Sequence, residues 1–234
     1  MARTDELEGV EAEALRRLAR LDSCALSDAL DRLSLPGCVT GLLAATVPAR
    51  VTGRVHTVKL AAGPASGSRE HSGPAARHLA TTAIEACTRG DIIVIEQRTG
   101  IDAACWGGIL SCGARLRGIA GVIADGPVRD IDEARELGFP VYCRSITART
   151  ARGRLHEQGT DVPVQVADVS VHPGDYVLAD ASAVVFVRSQ RLAEVLATAE
   201  AIAAREAAML ERLREGRSIA EVMGADYERM LQKD

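Results

Sequence analysis

The strongest constraint on this chain is a pair of short apolar runs, Ile92-Ile93-Val94-Ile95 and Ile119-Ala120-Gly121-Val122-Ile123-Ala124, with a helical pattern between them. A strand with one wet face alternates apolar and polar residues, whereas a strand covered on both faces reads as a continuous apolar run. The two runs therefore predict strands of a sheet sandwiched by other elements. Between them, Trp106 to Arg117 reads as a helix entered through Gly107-Gly108 and ended by Gly118. The segment HLATTAIEACTRG, residues 78 to 90, predicts a helix leading into the first run. A short helix from Ile131 to Leu137 passes through Gly138-Phe139-Pro140 into a strand at Val141-Tyr142-Cys143. The unit strand, helix, strand repeats, with loops at the carboxyl ends of the strands.

The flanking segments complete an α/β pattern. Residues 5 to 34 predict two helices, with Ala14, Leu18 and Leu21 at helical spacing and Ser23 or Ser27 as cap of the second; Leu35-Pro36-Gly37 stops it. From Ala49 to Ala61 the pattern alternates and is rich in Val and Thr, a strand in which Gly53 marks a bulge or a close approach. The following GPASGSREHSGP is a loop by composition. Residues 161 to 187 are β-rich around a Pro173-Gly174-Asp175 turn. Ser189 to Arg214 predicts a long helix with an apolar stripe through Leu192, Val195, Leu196, Ala199, Ile202, Ala203, Met209, Leu210 and Leu213. That stripe can pack on the chain's own sheet or on a neighbouring subunit.

Composition removes several functions. A net charge of −4 argues against a primary nucleic-acid binder. No stretch approaches the roughly 18 apolar residues of a membrane span, and the charged N-terminus has no apolar signal region, so neither a membrane partner nor secretion is expected. Six scattered cysteines without a CxxC pair fit reduced thiols and a cytoplasmic location. The chain holds only two lysines, Lys59 and Lys233, which leaves a Schiff-base mechanism with little to work with.

The chemistry-bearing segment is GVIADGPVRDIDEARELGFPV, residues 121 to 141. It predicts an apolar strand that delivers Asp125 through Asp130 to a loop at its carboxyl end, where α/β sheets bind ligands. Arg129 pairs a fixed cation with the hard oxygen ligand Asp130, and Glu133 falls on the same face of the next helical turn. Two such carboxylates suit Mg²⁺ or Mn²⁺. The plainer role for the same residues is to charge a helix N-terminus and form a surface salt bridge. The second element is Cys105-Trp106-Gly107-Gly108-Ile109-Leu110, whose backbone amides at a helix start suit a carboxylate or phosphate.

These segments carry a family resemblance. From about residue 26 to 231 the chain, through the stretches SDALDRL, GRVHTVKL, RGDIIVIE, WGGIL, GIAGVIADGPVRD, GFPVY and VHPGDYVLAD, resembles the group of 4-hydroxy-4-methyl-2-oxoglutarate aldolases, oxaloacetate decarboxylases of the same fold and the regulator of ribonuclease E activity. Its most specific spacing is a glycine, twenty residues, Arg-Asp, two residues and an acid, met here by Gly108, Arg129, Asp130 and Glu133. Aldolases of the group carry an Asp at the glycine position or, as here, the acid three residues after the Arg-Asp pair. The resemblance implies a swivelling-type β/β/α layered domain with a long C-terminal helix, a single unit over residues 1 to 234 with N-terminal helices at about 5 to 34 and a helical extension at about 189 to 234. It implies a homotrimer or homohexamer, and a metal-dependent lyase that releases pyruvate from 4-hydroxy-2-oxo diacids or oxaloacetate. The amides of Gly107, Gly108, Ile109 and Leu110 would then hold the substrate carboxylate, Arg129 the 2-keto oxygen, and Asp130 with Glu133 the metal; Arg129 and Asp130 are the catalytic pair. The chain departs from the group at Ala181-Ser182-Ala183 and Arg188. The resemblance also allows a non-catalytic regulator of a ribonuclease or an enzyme acting on another 2-keto acid.

The remaining candidates are weaker. The five histidines show no HxxxH or HExxH spacing, which speaks against a histidine zinc site. His71 and His78 flank the glycine-rich loop and are candidate substrate contacts, although solvated loop histidines are commoner. Trp106 reads as a packing anchor and Asp175 and Asp180 as turn residues. Neither a phosphate-binding P-loop nor a GxSxG elbow occurs.

Overall fold

The computed structural model describes residues 2–46, 50–63 and 78–224. Its strands are Cys38–Val39 (β1), Leu43–Ala44 (β2), Val51–Ala62 (β3), Ile92–Glu96 (β4), Gly121–Val128 (β5), Val141–Ile146 (β6), Leu155–Thr160 (β7), Val164–Val166 (β8), Val169–Val171 (β9), Tyr176–Ala179 (β10) and Val184–Val187 (β11). The α-helices are Ala2–Leu18 (α1), Ser23–Arg32 (α2), Thr81–Ala86 (α3), Gly108–Leu116 (α4), Ile131–Glu136 (α5), Leu192–Arg214 (α6) and Ile219–Val222 (α7). Nine strands form one sheet in the order β1-β11-β10-β3-β4-β5-β6-β2, with β7 also paired to β3, while β8 and β9 form a separate hairpin. The neighbours β3, β4, β5 and β6 run parallel, and each parallel step needs a crossover, supplied by α3, α4 and α5 in turn.

Side-chain alternation divides the interior. On one face of the parallel strands, Ile93, Ile95, Val122, Ala124 and Val141 meet Ala83, Leu110, Ala114 and Ala134 of α3 to α5. On the other, Ile92, Val94, Ile123 and Tyr142 meet the valines of the β8–β9 hairpin and Val177, Val184 and Phe186 of β10 and β11. The opposite face of β10 and β11 is covered by Leu18, Leu26, Leu30, Val195 and Leu196 of α1, α2 and α6. The sheet thus curls around a central core with helices outside, the layered α/β architecture with a long C-terminal helix that the sequence predicts. The stripe of α6 packs on the chain's own sheet as far as Ile202, but beyond it Leu210 is 52% exposed. A Cβ at Gly53 would lie 2.4 Å from the Gly90 carbonyl oxygen, so this glycine serves a close approach; the irregularity in β3 falls instead between Lys59 and Leu60.

Four boundaries differ from expectation, each for a local reason. The cap of α2 is Asp22, whose carboxylate accepts the Ala25 amide at 2.8 Å; Ser23 gives its hydroxyl to Asp180 at 2.7 Å instead, and Ser27 lies inside the helix. The helix expected over 78 to 90 contracts to α3, because Ala80 is left-handed (φ 62°) and Cys87 is extended. Strand β5 continues through Asp125, Gly126 and Pro127 to Val128, its register on β6 shifting between Ala124 and Pro127, so the expected loop shrinks to Arg129-Asp130. The long helix begins with a 3₁₀ turn at Ser189–Arg191.

Asp180 ties the far end of the sheet together: it takes the Ser23 amide at 2.9 Å and hydroxyl at 2.7 Å, and the Ser182 amide at 2.9 Å. Burial works against its charge, but these hydrogen bonds outweigh burial and hold the carboxyl below its ordinary value. A depressed carboxyl stabilises the fold fully above its unfolded pKa of about 3.9, and that contribution is lost as pH falls through the folded value. Asp180→Ala is expected to lose about 1–3 kcal/mol in urea unfolding at neutral pH. The difference from the native chain should shrink on acidification.

Candidate active site

The site is assembled where β5 ends. Pro127 has no N–H, and its carbonyl accepts both the Cys105 amide at 2.9 Å and the Cys105 thiol at 3.2 Å. One step on, the Arg129 amide donates to the Trp106 carbonyl at 3.0 Å. Residues 105 and 106 are therefore laid along the end of the strand. Trp106 anchors them: it is 2% exposed, its ring stacks on Phe139 at 6.2 Å between centroids, and its indole N–H donates to the Ser111 hydroxyl at 2.8 Å.

This anchoring sets the N-terminus of α4 beside Asp130. The first amides of a helix have no carbonyl of their own helix to reach. The Gly108 amide is satisfied from outside, by Asp130 Oδ2 at 3.0 Å. Asp130 makes the bond from a left-handed backbone, φ 55° and ψ 44°, a conformation that Asp and Asn tolerate better than most residues. Space is tightest at Gly107, where a Cβ would lie 2.7 Å from Asp130 Oδ2; one at Gly108 would lie 3.2 Å from Asp130 Cβ and 3.3 Å from Glu133 Cβ, close enough that these neighbours would have to give by a few tenths of an ångström.

The result is a cleft of about 340 Å³. Gly107, Gly108, Ile109, Leu110, Arg129 and Asp130 line it together with Trp106, His78, Leu79 and the segment Thr150 to Arg152. Arg129 Nε lies 3.3 Å from Asp130 Oδ2. Among the described residues Asp130 Oδ1 accepts no hydrogen bond, and the exposed Glu133 carboxylate has no partner. Two uncommitted hard-oxygen donors beside one glycine fit a divalent cation of the Mg²⁺ type. Glu133 itself is not part of the cleft wall. His78 lines the cleft with Nδ1 3.3 Å from the Leu79 carbonyl oxygen, and His71 lies outside the described residues. Ala181, Ser182, Ala183 and Arg188 are not part of the cleft wall; Arg188 packs beside His172 and Asp175. Lys59 faces Glu96 at 3.7 Å, away from the cleft, and Lys233 lies outside the described residues.

One cluster escapes any motif scan. His56, Cys87 and Asp91 bring an imidazole nitrogen, a thiol and a carboxylate oxygen within 4.8 Å of one another. The hydrogen bond to Asp91 holds the His56 imidazolium above its usual value although burial opposes it, and burial pushes the Cys87 thiol up to about 12. His56 stands 31 positions before Cys87, and only the pairing of β3 with β4 joins them.

A family profile described as Aldolase/RraA matches residues 23–186. Protein DlpA of Legionella pneumophila is 28% identical over 78% of this chain, and the chain spans only 28% of that relative's length. A protein of Halalkalibacterium halodurans, provisionally named 4-hydroxy-4-methyl-2-oxoglutarate aldolase, is 28% identical over 81% of this chain and 83% of its own. Among solved structures, Streptomyces coelicolor RraAS2, described as an unusual member of the RNase ES inhibitor RraA protein family, superposes with a TM-score of 0.73 at 25% identity, covering 86% of this chain and 96% of its own.

Asp130 serves geometry and charge at once, and substitution separates them. Asp130→Asn keeps an acceptor for the Gly108 amide and tolerates the left-handed backbone, and the half-exposed pair with Arg129 contributes little. Its unfolding free energy is expected to stay within about 0.5 kcal/mol of the native chain. Asp130→Ala loses both features and is expected to cost about 1–2 kcal/mol by denaturant titration.

Proposed function

We propose, from the premise that the chain belongs to the Aldolase/RraA family, that it is a divalent-metal-dependent lyase cleaving a carbon–carbon bond of a small 2-keto acid to release pyruvate. Its substrates in this reading are 4-hydroxy-2-oxo diacids, such as 4-hydroxy-4-methyl-2-oxoglutarate, and oxaloacetate. The observation that carries it is that Asp130 Oδ1 and the Glu133 carboxylate, both beside Gly108, have no partner among the described residues. A carboxylate on residue 108 and one on residue 133 would start from Cβ atoms 3.3 Å apart, so either position serves the same volume.

Asp130 and Glu133 hold the ion, with Mg²⁺ or Mn²⁺ favoured by their hard oxygens. When bound, it supplies Lewis-acid charge to the 2-keto oxygen. The Gly108 amide is committed to Asp130, which leaves the amides of Ile109 and Leu110 for the substrate carboxylate. Arg129, in the cleft wall, meets the negative charge that develops on the keto oxygen as the bond breaks. No lysine lines the cleft among the described residues, so the charge stabilisation of a Schiff base has no source there. Ile109, 89% exposed, and Leu116, 81% exposed, stand one heptad apart on α4 and offer a second copy of the chain an apolar strip, in keeping with a homotrimer or homohexamer.

A pyruvate-coupled assay over a panel of 2-keto acids tests this reading. Release that depends on Mg²⁺ or Mn²⁺ and stops with EDTA is expected. Glu133→Ala is expected to lower it on the 10- to 100-fold scale typical of losing a metal-site partner. Adding Gly108→Asp to Glu133→Ala should restore part of the loss. No pyruvate from any substrate with either metal would overturn the reading. The similarity to RraAS2 supports the competing reading of a ribonuclease regulator. Nuclease binding that survives Asp130→Ala, in a protein without lyase activity, would put that reading in its place.

A further inference from the structure

We propose that His56, Cys87 and Asp91 form a second metal site, for a thiophilic divalent ion such as Zn²⁺, separate from the cleft. The three donor atoms lie within 4.8 Å of one another, and His56 Nε2 is 3.3 Å from Asp91 Oδ2. On a tetrahedral ion with bonds of about 2.0–2.3 Å, donor atoms stand roughly 3.3–3.6 Å apart. The imidazole and carboxylate already have that spacing, and the thiol needs an adjustment on the order of 1 Å to match it.

The surroundings orient the donors as metal sites do. A metal-binding histidine commonly gives its other ring nitrogen to a carboxylate, which fixes the ring. Here His56 Nδ1 lies 3.0 and 3.1 Å from the two oxygens of Asp161. Asp161 is itself fixed, its amide donating to the Thr57 carbonyl at 2.8 Å. Asp91 is held by the Thr88 amide at 2.7 Å and hydroxyl at 2.9 Å, both on the Oδ2 that faces His56, which leaves Oδ1 without a hydrogen bond among the described residues. The His56 side chain remains 17% exposed, so the cluster is not sealed from solvent.

Donor chemistry separates this site from the first. Thiolate with imidazole selects Zn²⁺, Co²⁺ or Cu ions, whereas carboxylates and water suit Mg²⁺ and Mn²⁺. Position separates them too: Asp91 precedes β4, and the cleft lies beyond the opposite ends of β4 and β5, roughly 15 Å away along a five-residue strand. With His56 on β3, Asp91 before β4 and Cys87 after α3, a bound ion would staple the entry of the central parallel pair.

Titration of the whole, metal-stripped chain with Co²⁺ tests the proposal. One equivalent per chain is expected to give a near-ultraviolet thiolate-to-metal charge-transfer band that Zn²⁺ displaces and excess Mg²⁺ does not. Cys87→Ser and His56→Gln should abolish the band, Asp161→Asn should weaken binding roughly 10- to 100-fold, and Asp130→Asn should leave it intact. Absence of the band in the native chain, or a band undiminished in Cys87→Ser, would overturn the proposal; neither result depends on catalytic activity, and the first needs no substituted protein.

Discussion

The hydrogen bond from the Gly108 amide to Asp130 is the contact on which the candidate site depends. It joins the last residue before α5 to the first residue of α4, two segments 22 positions apart that both emerge from the carboxyl end of β5 and its neighbour. Asp130 makes it from a left-handed backbone, and a side chain at Gly107 would start 2.7 Å from the accepting oxygen. Once it is made, Asp130 turns one oxygen to the helix, the other accepts no hydrogen bond among the described residues, and Arg129, Ile109 and Leu110 line the same cleft. A single capping contact thus sets Arg129, Asp130 and the start of α4 around one cleft, and in the proposed reading that preorganisation lowers the cost of stabilising a developing oxyanion.

The sheet supports this arrangement by being dry on both faces. Ile92 to Ile95 and Val122 to Ala124 are buried alternately against α3 to α5 and against the β8–β9 hairpin, so strand positions are fixed from both sides. The carboxyl ends of such strands are the places where loops can carry polar groups without exposing the core. Scarcity of aromatic residues gives the few present large roles: Trp106 and Phe139 together fasten the loop whose glycines approach Asp130.

Much of this was legible from residues in sequence. Apolar runs at 92–95 and 119–124 announced two-sided burial, Gly107-Gly108 announced the start of α4, and the Gly108, Arg129, Asp130, Glu133 spacing brought the candidate site residues to one corner of the fold. The rest was hidden because it depends on partners distant in the chain. Ser23 has every local feature of a cap, yet Asp180, 157 positions away, takes its hydroxyl. Asp125-Gly126-Pro127 has turn composition, yet all three stay in β5, paired with β6, and Gly126 suits its place there because Gln97 occupies the space a side chain would need. His56 and Cys87 have no motif spacing, since strand pairing, not helical or turn periodicity, brings them together.

Together the two clusters place the carboxylates of Asp130 and Glu133 at the carboxyl end of the parallel strands and a thiol–imidazole–carboxylate group at the other. In the proposed reading Asp130 and Glu133 hold a divalent ion over which a 2-keto acid is cleaved. Diffraction at the manganese absorption edge, from crystals grown with Mn²⁺ and pyruvate, tests it most directly. The account predicts an anomalous peak against Asp130 and Glu133, with the pyruvate carboxylate on the Ile109 and Leu110 amides and its keto oxygen toward Arg129. A cleft without manganese, or pyruvate bound away from Arg129, would contradict it.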